Sequence, residues 1–111
     1  GLYSLVYITP EKLMSNGFLD QLASMHQYHK PICLIAIDES HCVSEWGHDF
    51  RPEYRLVGNA LRSHPILNNM HGEHENKIPL LALTATAIPR VQKDICTSLQ
   101  LVEPQISRQS F

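Results

Sequence analysis

Several features that define other classes of protein are missing or scarce in this sequence. It has three cysteines, and their wide spacing without a CxxC pair indicates reduced thiols in an intracellular protein, not a disulfide framework. No apolar run approaches the roughly 20 residues that a membrane-spanning helix needs. Acidic residues outnumber basic ones, and the net charge is −2. Any surface that binds nucleic acid would therefore have to be local.

A glycine-rich phosphate-binding loop is also missing. The pattern G-x-x-x-x-G-K-[ST] does not occur, and the five glycines are scattered at positions 1, 17, 47, 58 and 72. Such a loop cradles nucleotide phosphates with its backbone amides, so these 111 residues do not supply that cradle. The start of the sequence, at Gly1, resembles neither a signal peptide nor a transit peptide. From the length and a hydrophobic content of 43%, we expect one globular domain or part of one.

The most informative stretch begins at residue 32. Residues 32–37, ICLIAI, are apolar or small without a polar break, which is typical of a parallel-sheet strand buried on both faces. Asp38 and Glu39 follow directly. Ligand sites in open α/β sheets lie beyond the carboxyl ends of strands, and Mg²⁺ prefers carboxylate and phosphate oxygens. The pair predicts a Mg²⁺ and phosphate site, although a solvated acidic turn is the better interpretation of two carboxylates alone.

Other segments predict further strands and helices around this one. We expect strands at residues 5–8 and 79–83, and a helical segment that begins at Thr9 and Pro10, is interrupted at Gly17 and continues after it. Two more helices are predicted over about 52–63 and 88–99, the second with an apolar residue at every fourth position. The polar segment 65–78 predicts a surface loop. Together these elements predict an α/β fold around a parallel sheet.

The histidines offer two weak candidates for a metal site, and one cysteine is expected to be buried. His26 and His29 close the first long helix, where a two-histidine metal site is a weak alternative to cations placed favourably at a helix end. A second weak metal candidate is the group His71, Glu73, His74 and Glu75, which lacks regular ligand spacing and is better interpreted as a solvated loop. Cys33 is expected to lie in the buried strand.

Four segments resemble motifs of one enzyme family. Residues 38–41, DESH, resemble a helicase DExH box, and residues 44–54, SEWGHDFRPEY, resemble the aromatic-rich loop of the RecQ family of DNA helicases. Residues 8–13, ITPEKL, resemble that family's TPE-type motif, and residues 82–87, ALTATA, resemble its motif III. The segments stand in the family's order. The resemblance covers most of the chain and is weakest between about residues 62 and 79.

The resemblance implies a fold and a place within a larger protein. RecQ helicases have two RecA-like lobes of the P-loop NTPase type, each an α/β parallel sheet that is three-layered when complete. Their phosphate loop precedes the TPE-type motif, and the second lobe with its arginine finger follows motif III, as do the zinc-binding and winged-helix parts. We therefore expect residues 1–111 to be the C-terminal half of the first lobe, without the phosphate loop.

The implied activity is ATP-dependent unwinding of DNA, 3′ to 5′ along one strand, by an intact protein that acts on single strands and duplex junctions. No membrane association is implied, and a nuclear location follows if the source is eukaryotic. Asp38 would position the Mg²⁺ cofactor through water, and Glu39 would act as base or orient the attacking water. His41 would be a third catalytic residue and would lie between the ATP and DNA sites. These 111 residues alone are expected to be inactive. The alternative is a truncated, non-catalytic DNA-binding or interaction module, which the lack of a phosphate loop favours for this chain, whereas the motifs favour a helicase for the intact protein.

The resemblance also implies DNA contacts and a coupling role. Exposed aromatic faces accept unpaired bases at roughly 1–3 kcal/mol each. Thr84 and Thr86 of motif III would couple hydrolysis to movement between the lobes. The residues that would touch DNA are Thr9, Glu11, Trp46, His48, Phe50 and Arg51.

Two of these assignments have purely structural alternatives. Thr9 and Glu11 also suit a plain helix start, because a threonine side chain can accept a hydrogen bond from a free amide of the first turn. Trp46 and Phe50 could instead be plugs that fill the core under the loop. The aromatic-rich loop as a whole favours DNA binding, because loops are usually exposed and large aromatic residues there need a reason.

Overall fold

The computed structural model describes residues 4–69, 76–85, 88–101 and 104–107. Three parallel strands make the central sheet in the order β1 (Ser4–Ile8), β2 (Ile32–Ile37) and β5 (Leu80–Ala82). All three predicted strands are confirmed, and β2 has a hydrogen-bonded neighbour on each edge. The α/β class is therefore confirmed, and the parallel sheet with its helices is consistent with part of a RecA-like lobe.

The two faces of this sheet differ in burial. Paired residues of parallel strands point to the same side, and successive residues alternate. Ile35 and Ile37 are almost completely buried, whereas Leu5 and Tyr7 on the other face are 62% and 63% exposed. On that second face, β2 itself is better covered, with Leu34 half-buried and Ala36 3% exposed, so the expectation that β2 is buried on both faces is only partly right. Cys33, which was expected to be buried, is exposed near the start of β2, and its thiol donates to the Ser4 carbonyl at 3.3 Å.

The first helical segment is divided as the sequence predicts. α1 (Pro10–Leu13) begins after Thr9, whose Oγ1 accepts a hydrogen bond from the Lys12 amide at 3.3 Å. Proline suits the first helical position because no partner exists there for an amide. Gly17, in the left-handed region at φ 77°, precedes α2 (Phe18–Tyr28). The turn at Gly17 lets α2 take a new direction and bury Leu22 and Ala23.

The predicted helix over residues 52–63 has two parts. Residues Pro52–Leu56 form a 3₁₀ helix, and α3 (Val57–Ser63) continues as an α-helix. A 3₁₀ helix has three residues per turn, so Tyr54 and Val57 share the buried face and Leu56 is rotated outward. Leu56 is therefore 56% exposed.

The last helix, α4 (Pro89–Ser98), packs as its sequence pattern predicts. Val91, Ile95 and Leu99 are each at most 4% exposed. Gly58 of α3 lies so close to the end of α4 that a side chain there would collide with the Ser98 carbonyl. The two helices therefore meet backbone to backbone at this point.

The predicted surface loop has more structure at its ends than its composition indicates. Two short strands, β3 (Asn68–Asn69) and β4 (Asn76–Lys77), pair antiparallel. Leu67 and Ile78 beside them are 2% and 3% exposed and join the core. The histidine and glutamate candidates between residues 71 and 75 lie outside the described residues.

Candidate functional site

The carboxylate of Asp38 is held at the carboxyl end of β2 by two side-chain hydrogen bonds. Oδ2 accepts from the Tyr7 hydroxyl at 2.7 Å, and Oδ1 accepts from the Glu39 amide at 2.9 Å. The Asp38 amide itself donates to the Ile8 carbonyl at 2.7 Å. Backbone and side chain are thus fixed by the neighbouring strand and the following residue, and Asp38 remains half-buried at the strand end.

Tyr7 remains a hydrogen-bond donor across the ordinary pH range. Its hydrogen bond to Asp38 is the largest cause of a raised phenol pKa, and burial and the negative charges of Asp38 and Glu39 act in the same direction. The neutral phenol is therefore favoured, and it keeps the proton that it shares with the carboxylate.

Glu39 has an unusual backbone conformation. Its φ of 51° and ψ of 38° lie in the left-handed region, which costs a non-glycine residue roughly 1–2 kcal/mol. The turn leads into a 3₁₀ helix, Ser40–Val43, and Ser40 is completely buried, with Oγ donating to the Ile37 carbonyl at 2.7 Å. Strain of this kind is common at functional sites, and here it leaves the Glu39 side chain exposed beside Asp38.

His41 joins this turn to the end of the third strand. Its Nδ1 lies 3.2 Å from Oγ1 of Thr84, which follows β5. The structure thus brings together two residues 43 positions apart, one predicted as catalytic and one as coupling. Thr86, the other coupling candidate, lies outside the described residues.

The aromatic-rich loop exposes the side chains that were predicted to touch DNA. Trp46 is 63% exposed, so the alternative that it plugs the core is wrong. His48 and Arg51 are exposed as well. Phe50 is half-buried, with the guanidinium of Arg55 at 5.0 Å from its ring centre. Of the two aromatic residues that could have filled the core, only Phe50 is partly packed against another side chain.

Short backbone contacts tie this loop to the carboxylate turn. A side chain at Gly47 would collide with the carbonyl of His41, and the Gly47 amide donates to the Ser44 carbonyl at 3.0 Å. Only a glycine allows the backbone after Trp46 to approach the turn so closely. The loop and the carboxylate pair are therefore parts of one continuous surface feature.

Sequence reasoning missed two residues that support the loop, Ser44 and Asp94. Ser44 is completely buried, and its Oγ donates to Oδ2 of Asp94 on α4 at 2.7 Å. The same Oγ accepts from the Trp46 amide at 3.1 Å. The two residues are 50 positions apart, and no local pattern predicts their contact.

Comparisons with known proteins agree with the motifs. The DEAD/DEAH box helicase family model matches residues 1–95. The RecQ-like DNA helicase BLM of Xenopus laevis is 40% identical over 110 residues, which is 99% of this chain. The ATP-dependent DNA helicase RecQ of Haemophilus influenzae is 45% identical over 101 residues, which is 91% of this chain. The chain belongs to the RecQ-type DEAD/DEAH box helicases.

This RecQ-type chain spans a small share of its relatives. It covers 7% of the length of the Xenopus protein and 14% of that of the Haemophilus protein. A third relative, the bifunctional 3′-5′ exonuclease/ATP-dependent helicase WRN of Mus musculus, is 40% identical over 111 residues, which is 100% of this chain and 7% of that protein. The activity and substrates of a whole protein are therefore inferred below.

The TPE-type segment of this RecQ-type chain is placed as a helix start. Thr9 is half-buried and caps α1, which is the structural alternative raised for it, and Glu11 is exposed in the first turn. A contact of Thr9 or Glu11 with DNA therefore stays a prediction. Thr9 follows β1 directly, so it lies at the same end of the sheet as Asp38.

The histidine metal candidate on α2 is not assembled. His26 Nδ1 accepts a hydrogen bond from the Ile32 amide at 2.8 Å, and burial lowers the pKa of His26, which favours this neutral acceptor. His29 is exposed. Among residues 4–69, 76–85, 88–101 and 104–107, no group of three or more metal-ligating side chains could hold an ion. The half-buried carboxylate of Asp38 with the exposed Glu39 beside it fits an ion that keeps most of its waters, because Mg²⁺ usually binds through one or two carboxylates.

The described helices also bear on membranes. None of those that the structure describes is long and apolar enough to cross a bilayer. The longest, α2, has 11 residues.

Proposed function

We propose that an intact protein carrying this chain is an ATP-dependent DNA helicase that moves 3′ to 5′ along one strand. The observation that carries the proposal is the direct link between two sites. The carboxylates of Asp38 and Glu39 stand at a strand end, and the loop that exposes Trp46 packs against the same turn through Gly47 and His41.

At the carboxylate site, Asp38 would hold Mg²⁺ through water. The fixed orientation of Asp38 supports this role, because both of its oxygens are already positioned by Tyr7 and the Glu39 amide. When bound, the ion neutralises charge on phosphate oxygens. The exposed carboxylate of Glu39 would orient the attacking water or accept its proton. ATP is the substrate of this reaction.

At the DNA site, we propose stacking on the exposed loop. Trp46 offers a free aromatic face, and Arg51 and His48 offer charge and hydrogen bonds beside it. Phe50, which is half-buried with the Arg55 guanidinium over its ring, would contribute to the same surface. Thr9 and Glu11 would contact the strand's backbone. The substrate is single-stranded DNA and its junctions with duplex.

Between the sites, His41 and Thr84 would carry the signal that DNA is bound. The 3.2 Å contact between their side chains supports this role, because it links the turn after β2 to the segment after β5. Thr86 would act with Thr84. A shift at either strand end would change this contact.

We further propose that residues 1–111 correspond to the C-terminal half of a first RecA-like lobe. The groups that hold the triphosphate and the second lobe would then belong to other parts of such a protein, which agrees with the small share of each relative that this chain covers. For a eukaryotic source we propose a nuclear location, which fluorescence imaging of the tagged protein would check.

Glu39→Gln in the intact protein tests the enzyme assignment. The amide keeps the size of the side chain but cannot accept the water's proton, so hydrolysis should fall at least about 100-fold while ATP binding is retained. Steady-state phosphate release and binding of a fluorescent ATP analogue measure the two quantities. Asp20→Asn, at an exposed carboxylate on α2 outside both proposed sites, is the matched control and should leave both unchanged.

The contrary result is equally clear. Unchanged turnover in Glu39→Gln would make Glu39 a surface acid. A wild-type protein that binds DNA but never releases phosphate would be a non-catalytic module. The lack of a phosphate loop in these 111 residues favours that alternative.

A further inference from the structure

Ser44 connects the aromatic-rich loop to helix α4 through two hydrogen bonds. It is completely buried, its hydroxyl donates to Asp94 Oδ2 at 2.7 Å, and it accepts from the Trp46 amide at 3.1 Å. A serine hydroxyl has one proton to donate and two lone pairs. The donation to Asp94 therefore fixes the direction of the proton and leaves a lone pair for the Trp46 amide.

The charge on Asp94 strengthens this short chain of hydrogen bonds. Hydrogen bonds between a hydroxyl and a carboxylate are shorter and stronger than neutral ones, and each bond polarises the next in a low-dielectric interior. The Asp94 side chain is 21% exposed and Ser44 is not exposed at all. Removal of the carboxylate would leave the buried hydroxyl free to turn away from Trp46.

Trp46 depends on such anchors because its own side chain is largely in solvent. With 63% of the residue exposed, core packing does not determine where the indole lies. Its position is set by the backbone on either side, namely by Ser44 before it and by Gly47 after it, which packs on His41. Loss of the anchor at Ser44 would release one of these two constraints.

The second partner of Asp94 is weaker and provides a control. Arg90 lies one helical turn earlier, with Nε at 3.5 Å from Asp94 Oδ1, and its side chain is 61% exposed. An exposed pair at this spacing contributes little. Removal of Arg90 leaves the Ser44–Asp94 bond in place, whereas removal of Asp94 breaks it.

We propose that Asp94 is a positioning residue for DNA binding: through Ser44 it holds the backbone of Trp46 in the geometry that lets the indole stack on a base of single-stranded DNA. This inference rests on the proposed function of the loop. It also gives α4 a direct contact with the loop, separate from the one between His41 and Thr84.

The experiment uses the intact protein that carries these residues and measures binding to fluorescein-labelled oligo-dT by anisotropy. Asp94→Ala should weaken binding roughly five- to tenfold, a substantial part of one stacking contact. Asp94→Asn keeps an acceptor for the Ser44 hydroxyl and should restore most of the affinity. Arg90→Ala should change the affinity less than about twofold.

A double-substitution cycle separates positioning from a general structural effect. If Asp94 acts through the indole, Asp94→Ala should have almost no further effect on oligo-dT affinity in a Trp46→Ala background. The melting temperature of each variant is measured alongside. If Asp94→Ala does not fold, Ser44→Ala takes its place, since it removes the hydroxyl that joins Asp94 to the Trp46 amide while changing few atoms.

The outcomes divide as follows. Weaker binding by Asp94→Ala that disappears in the Trp46→Ala background supports the proposal. The same loss in both backgrounds, a lower melting temperature with normal affinity, or an equal effect of Arg90→Ala overturns it. DNA binding requires no hydrolysis, so this test remains decisive even if wild-type protein shows no DNA-stimulated ATPase, a result that would reject the proposed function alone.

Discussion

The carboxylate turn and the aromatic-rich loop are adjacent in the structure, yet they are held in different ways. Asp38 has hydrogen bonds to both carboxylate oxygens and lies at the end of the central strand. Trp46 is in solvent, and its backbone is held by a buried serine and by the glycine that packs on His41. The first region fixes its functional side chain directly, and the second fixes only the backbone that carries it.

The difference follows from what each region is proposed to do. Phosphoryl transfer depends on the positions of metal, water and phosphate relative to one another, so the side chain itself must be fixed. A stacking surface for single-stranded DNA must leave an aromatic face free for bases of any sequence. Backbone anchors satisfy that requirement because they place the ring without covering it.

The strongest way to break this comparison is to test the isolated 111 residues. The carboxylate turn is intact in them, but the phosphate cradle is absent, so we expect no measurable ATP hydrolysis, since positioning provides most of the catalysis in this class. DNA-stimulated phosphate release that disappears in the isolated chain with Glu39→Gln would contradict this.

The same isolated chain should also fold poorly. One face of its sheet exposes apolar side chains, among them Leu5 and Leu81, and parallel sheets are normally covered on both faces. Covering one such side chain contributes roughly 1.5–3 kcal/mol, and a whole domain is stable by only about 5–15 kcal/mol. We expect a molten or poorly soluble chain; a sharp cooperative melt with dispersed amide signals would show that it is self-sufficient.

Sequence reasoning predicted the elements well because their patterns are local. Each element can be identified without reference to distant residues. The signals are the apolar run before Asp38, the proline at the start of α1 and the four-residue spacing of Val91, Ile95 and Leu99. The errors concern which side of an element is covered. Cys33, for example, is exposed where the register between β1 and β2 shifts, and no local pattern predicts such a shift.

The candidate site was predictable where its residues are consecutive and not where they meet across the chain. Asp38, Glu39 and the aromatic residues stand in one stretch, so the motif brings them together. The hydroxyl of Tyr7 on Asp38 and the carboxylate of Asp94 on Ser44 join residues 31 and 50 positions apart. Such contacts depend on strand register and helix packing, which composition and spacing do not contain.

A second way to sharpen the comparison is to remove the exposed side chains of the loop in the intact protein. Trp46→Ala and Arg51→Ala should each lower the DNA stimulation of the ATPase by about tenfold, since one stacked base contributes roughly 1–3 kcal/mol. The DNA-independent rate should change little. ATPase assays with and without oligo-dT measure the ratio.

The melting temperature provides the control for these two variants. Both side chains are exposed, and surface substitutions usually change the free energy of unfolding by no more than about 0.5 kcal/mol. Exposed Tyr28→Ala is a matched loss of a large side chain away from the loop. If Trp46→Ala and Arg51→Ala lower stability but keep the stimulation ratio, the loop residues are structural.

The smallest effect is expected where the carboxylate turn itself is loosened. Tyr7→Phe in the intact protein removes the donor to Asp38 Oδ2 and keeps the ring, so the carboxylate gains rotational freedom. We expect the Mg²⁺ concentration for half-maximal ATPase to rise roughly two- to fivefold, the usual range for one hydrogen bond, with little change in DNA affinity. Tyr28→Phe, at another exposed tyrosine, should change neither.

The pH dependence of this effect follows from the raised pKa of Tyr7. A phenol whose pKa is higher in the folded state keeps its stabilising hydrogen bond below the ordinary tyrosine pKa and loses it only as pH rises through the raised value. The difference in Mg²⁺ requirement between wild type and Tyr7→Phe should therefore be constant from about pH 7 to pH 9. A difference that vanishes within that window would show that the Tyr7 hydroxyl does not act through its hydrogen bond to Asp38. A shift in DNA affinity as large as that of Trp46→Ala would show that Tyr7 positions the loop as well as the carboxylate turn.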